Sequence, residues 1–146
     1  MKLIAVALVA GIVTLTAGTA VADDDPIVAR QQLMKTNGAA AKLGFFMARG
    51  KVPFDAAAAA DAMNQIATDM TTFPTLFPAG SDKGAKTTAS PDIFANMDDF
   101  KALAAKLQTD AKAAAEAAPK GMDAFSVAFD AVDHDCGACH QKYRTE

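Results

Sequence analysis

The sequence predicts an all-α protein, an antiparallel up-down-up-down four-helix bundle, and three observations carry that prediction. Alanine, the strongest helix former, recurs throughout the chain. Apolar residues repeat at alternating steps of three and four, and no segment alternates at the step of two that marks a strand. Proline and glycine clusters cut the chain into four segments of helical length.

The chain opens with Met1-Lys2, an apolar run over 3–15, and Ala20-Val21-Ala22 before three aspartates. That is the pattern of a secretory signal peptide cleaved after Ala22, with a run too short to span a membrane comfortably. The expected mature domain is 23–146, exported to a bacterial periplasm with no membrane anchor after cleavage. Without Lys2 it holds 13 basic and 17 acidic residues, a net charge of −4. An acidic domain of that kind is not expected to bind nucleic acid.

The first helix is expected over 26–49, ending at Gly50-Lys51-Val52-Pro53. The second begins after Asp55 as N-cap and runs to about Thr72, with Ala59, Met63, Ile66, Met70 and Phe73 as its buried stripe. A loop follows over 74–89. The third is expected to open with Ser90 as N-cap and Pro91 in its first turn, with a stripe of Ile93, Met97, Phe100, Ala104, Leu107 and Ala111. Ala118-Pro119-Lys120-Gly121 breaks it. The fourth covers 122–143, and its stripe of Phe125, Phe129 and Val132 continues into Cys136 and Cys139. Stripes near period 3.5 on four helices with short or moderate connections give the bundle.

Cys136-Gly137-Ala138-Cys139-His140 holds the only two cysteines. This order attaches a c-type haem: two thiols form thioethers with the porphyrin vinyl groups, and the adjacent imidazole ligates the iron. On a helix the three side chains share a face. A thioredoxin-like pair would need a βαβ setting. A zinc site is disfavoured because His140 directly after Cys139 is poorly spaced for a second ligand pair, and only His134 would remain as a fourth ligand. A disulfide is disfavoured by the short helical loop. The single cofactor expected is therefore haem c, covalent through two thioethers, with His140 as a metal ligand. His134, between Asp133 and Asp135, is expected in solvent.

The motif near the C-terminus, the trailing Gln141-Lys142-Tyr143-Arg144 and the spacing of Arg30 and Met34 together resemble class II cytochromes c, the cytochrome c-prime family. The resemblance spans the whole mature chain and implies the haem bundle. The run Gln31-Gln32-Leu33-Met34-Lys35-Thr36-Asn37-Gly38 and the loop Phe73-Pro74-Thr75-Leu76-Phe77-Pro78 are similar to its six-coordinate, low-spin His/Met branch. Met34 is thereby implied as the second metal ligand; its other reading is an ordinary core methionine. Some five-coordinate members also carry methionine there. The resemblance implies Arg30 near a haem propionate; the alternative is a solvated surface arginine. Arg144 would cover the histidine edge or the propionates, or favour the helix C-terminus. Phe73, Phe77, Phe94, Phe125 and Phe129 would pack on haem or fill the core. The implied function is a non-enzymatic electron carrier with unidentified redox partner proteins and a possible homodimer. The alternative is a five-coordinate protein binding nitric oxide or carbon monoxide. A haem peroxidase is disfavoured, because the distal helix offers mainly Leu33, Met34 and Gly38.

Overall fold

The computed structural model describes residues 25–83 and 86–145; the signal-peptide region 1–22 and the mature terminus expected at Asp23 lie outside them. The helices are α1 (Pro26–Ala48), α2 (Ala56–Thr72), a single turn α3 (Asp92–Ala95), α4 (Met97–Ala117) and α5 (Met122–Tyr143). Short 3₁₀ turns at Phe73–Leu76 and Ala118–Lys120 extend α2 and α4. Among the described residues the only strand-like pairing is one isolated antiparallel bridge, Ala89 with Arg144.

Local chemistry sets the helix ends. The Asp25 carboxylate accepts from the Ile27 N–H at 2.8 Å, and Asp55 accepts from Ala58 N–H at 3.0 Å. Each satisfies an amide with no partner inside its own helix. Gly50 and Gly121 close the turns after α1 and α4 with φ of +62° and +110°, values that favour glycine.

The four long helices form a closed square in which α1 borders α2 and α5, and α4 borders α2 and α5. Ser126, at the start of α5, donates to the carbonyl of Ala48, at the end of α1, at 2.9 Å. At the opposite end Phe100 of α4 meets Tyr143 of α5 edge to face. Sequence neighbours therefore run antiparallel. The stripes face inward as expected: Met63, Ile66, Phe100, Phe125, Phe129 and Val132 are all almost fully buried.

The third helix departs from its expected form. Asn96 leaves helical geometry at φ −130°, ψ 43°, so α3 is one turn and α4 starts at Met97. Two ties explain the break. The Asn96 side chain donates to the Asp92 carbonyl at 3.0 Å. The segment before α3 is anchored to the end of α5, where Ser90 N–H donates to Tyr143 O at 2.9 Å and Thr145 N–H donates to Thr88 O at 2.8 Å. Ser90 still caps a turn, accepting from Asp92 N–H at 3.1 Å, but that turn serves α3 alone.

Candidate haem site

One end of the square stays open around a cavity of about 520 Å³. That is within the roughly 300–1,000 Å³ of small-molecule and cofactor sites. Its wall includes Arg30 and Met34 from α1, Cys136, Cys139 and His140 from α5, and Arg144 beyond α5. The residues expected from the sequence to attach the haem, ligate its iron or meet its edge therefore all open onto this one space. Aromatic and aliphatic side chains supply most of the remaining wall: Phe73 and Phe77 after α2, Phe100 and Leu107 of α4, and Tyr143 of α5.

α5 arranges the motif as helical spacing dictates. Cys136, Cys139 and His140 lie within about one turn of one another on the face that reaches the cavity. Burial, with Asp133 and Asp135 nearby, pushes the Cys136 thiol up to about 11. Burial, with Asp99, also raises the Cys139 thiol. A redox-exchange or zinc-binding pair needs thiols shifted the other way. No group of three or more His, Cys, Asp and Glu side chains suited to a metal ion occurs among the described residues. His140 is lowered by partial burial and then by Arg144, which favours the neutral imidazole whose ring nitrogen can bind a metal. His134 stands 79% exposed.

Arg30 corrects the reading of it as a solvated surface arginine, since it is only 3% exposed. Its guanidinium donates to Leu76 O at 3.3 Å, Ser81 Oγ at 3.0 Å, Ser81 O at 2.8 Å and Thr87 Oγ1 at 3.2 Å. It also stacks on the Phe77 ring, 4.6 Å from the centroid. It thus ties the α2–α3 connection to α1. All four acceptors are neutral, Nε has no partner, and no carboxylate lies within ion-pair distance among the described residues. Burial lowers its pKa, while Asp25 and Asp82 act in the opposite direction. A buried cation with no ion-pair partner among the described residues, on a cavity wall, fits a cofactor that brings its own carboxylates.

The aromatic candidates divide. Phe73 and Phe77 line the cavity, Phe94 packs behind Phe77, and Phe125 and Phe129 fill the closed half. Phe100, Ile66 and Asn37, none of them assigned to the site from the sequence, also line it. Phe100 and Ile66 belong to ordinary core stripes. Asn37 was legible only as an amide three residues after Met34 on the same face.

Two free thiols, a neighbouring imidazole and a buried arginine around an apolar space fit covalent haem, and together with the bundle they define a mono-haem c-type cytochrome. The family model for cytochrome c' matches residues 25–144, so the chain belongs to the cytochrome c' family, whose members carry covalent haem c. It is 42% identical to a cytochrome c-556 of Agrobacterium fabrum over 115 residues, 79% of this chain and 77% of that one. It is 36% identical to a cytochrome c' of Rhodopseudomonas palustris over 141 residues, 97% and 96% of the two chains. The crystal structure of a Rhodopseudomonas palustris cytochrome c' superposes with a TM-score of 0.79 at 33% identity, covering 84% of this chain and 97% of that one.

Proposed function

We propose that this chain is a periplasmic electron carrier whose haem is bound through Cys136 and Cys139 and whose iron is held by His140 and Met34. The observation that carries the reading is that Met34 of α1 and the Cys-Cys-His set of α5 line the same cavity from adjacent helices. Haem bound there supplies the one-electron ferric–ferrous couple. The protein's part would be to keep the site apolar and to hold the iron through the His140 imidazole and the Met34 thioether. A thioether ligand would raise the potential, since its soft sulfur suits ferrous iron. Arg30, without an ion-pair partner among the described residues, and Arg144, also on the cavity wall, would meet the propionates. Periplasmic residence rests on the signal-like segment and on the family; among the described residues no helix is long and apolar enough to cross a membrane.

The electronic spectrum tests this reading. The purified protein is expected to be low-spin in both oxidation states, and Met34→Ala to turn it high-spin without loss of covalent haem. A wild type that is already high-spin, and that Met34→Ala leaves unchanged, would instead identify a five-coordinate protein open to nitric oxide or carbon monoxide. Exposed Val28 and Leu43 on α1 leave room for self-association, which sedimentation of the holoprotein would measure.

A further inference from the structure

We propose that Asn37 is the hydrogen-bond donor on the α1 side of the haem, directed at an acceptor atom bound in the iron's sixth position when Met34 does not occupy it. The proposal rests on the reading of the cavity as the haem site with Met34 facing the iron. Asn37 is 8% exposed and lines the cavity. Both its Nδ2 and its Oδ1 are buried and have no hydrogen-bond partner among the described residues. Leaving such groups unpaired costs about 1–3 kcal/mol each. An apolar side chain at this inward register of an alanine-rich helix would avoid that cost. The partner of the amide is therefore to be sought in what fills the cavity.

Helix geometry indicates which part of the contents that is. Arg30, Met34, Asn37 and Ala41 form one inward stripe on α1. At 1.5 Å per residue, Asn37 lies about 4.5 Å along the axis from Met34 and about 10 Å from Arg30. It lies beyond Met34 from the arginine that waits for an anion. Its side chain is too short to return past Met34 to that end. Gly38, beside it on the wall, has open space where a side chain would be. A small ligand beside Met34 is thus within reach of an amide N–H. Such an amide favours ligands whose outer atom accepts a hydrogen bond over those whose outer atom accepts poorly.

The test uses covalently loaded holoprotein in which Met34→Ala has opened the sixth position. Asn37→Leu removes the amide and keeps its bulk, and Asn37→Ala removes both. Ferric iron is titrated with cyanide, and the ferrous carbon monoxide adduct is examined by infrared spectroscopy. Both variants are expected to weaken cyanide about three- to tenfold, the worth of one hydrogen bond. Both should also move the C–O stretch to higher frequency, with carbon monoxide affinity nearly unchanged. Unaltered cyanide affinity and C–O stretch in both variants would overturn the proposal. So would an effect confined to Asn37→Leu, which would mark a steric cause. If the wild type carries no covalent haem, the underlying reading fails instead, and the absent absorption of the polypeptide shows that before any titration.

Discussion

The two ends of the bundle are built from the same four stripes and end differently. At the closed end α1 and α5 touch. A Cβ placed on Gly44 would come within 2.6 Å of Phe129 Cε2 and 3.0 Å of Met63 Cε, and Phe54, Phe125 and Phe129 stack beside that contact. At the open end the α1 stripe continues as Ala41, Asn37 and Met34, the α5 stripe as Cys136 and Cys139, and the helices face each other across the cavity. The first half carries its core within its own sequence. The second has a wall of small, soft and reactive side chains, and it is completed by the cofactor. A hydrophobic stripe alone therefore does not tell a packed core from a cofactor site.

The largest expected effect tests that contrast at its root. Replacing Cys136 and Cys139 together by alanine should abolish covalent attachment, so that haem leaves the polypeptide in acidified organic solvent. It should also lower the thermal midpoint more than any single change. Haem still bound to the denatured double variant would refute the attachment chemistry.

Next, Phe129→Ala in the closed half should cost about 3–5 kcal/mol in denaturant unfolding, because a fully buried ring leaves a cavity its neighbours cannot close. The visible spectrum should not change. Equal sensitivity of spectrum and stability would mean that the two halves are not separable.

Two glycines about 1.7 turns apart on α1, Gly38 and Gly44, should answer alanine with opposite signs. Gly44→Ala presses on Phe129 and should destabilise by about 1–3 kcal/mol. At Gly38 nothing lies within 4 Å of the place a methyl group would take, so Gly38→Ala should stabilise the haem-free protein by about 0.5–1 kcal/mol through helix propensity. Calorimetry on both variants gives the signs directly.

The smallest effect is electrostatic. Tyr143 Oη donates to Asp99 at 2.6 Å and Lys142 Nζ donates to it at 2.9 Å, joining α4 to α5 beside the cavity. The tyrosine first, and then the lysine, hold the Asp99 carboxyl below its ordinary range. A depressed carboxyl contributes stability that is fully present above its unfolded value, near pH 3.9. That contribution is lost as pH falls through the lower folded value. Asp99→Asn should lower stability slightly at neutral pH and leave it nearly unchanged below the folded value, so that the acid limb of the stability curve flattens. The pair is exposed, so the change is expected to be small.

Much of the fold was legible because its determinants are local. Asp55 caps where its position before an apolar run implies, and Gly50 and Gly121 turn where the stripes stop. The thiol–thiol–imidazole order and the positions of Arg30, Met34 and Arg144 named residues that the folded chain gathers on one wall. The third helix was not read correctly, because its break depends on ties between Ser90, Thr145 and the end of α5, far away in sequence.

By itself, then, the sequence determined the helices, their inward faces and the chemistry of the haem motif, since capping, periodicity and residue order act within one or two turns. Only the tertiary structure decided which stretch of the stripes would close and which would stay open. It made Arg30 a buried clamp on the α2–α3 connection, drew Gly44 against Phe129, and left the Asn37 amide without a partner among the described residues. The physical reason is the same in each case. Burial and hydrogen-bond satisfaction are properties of a site enclosed by several helices, and no single segment carries the information about what the others bring to it.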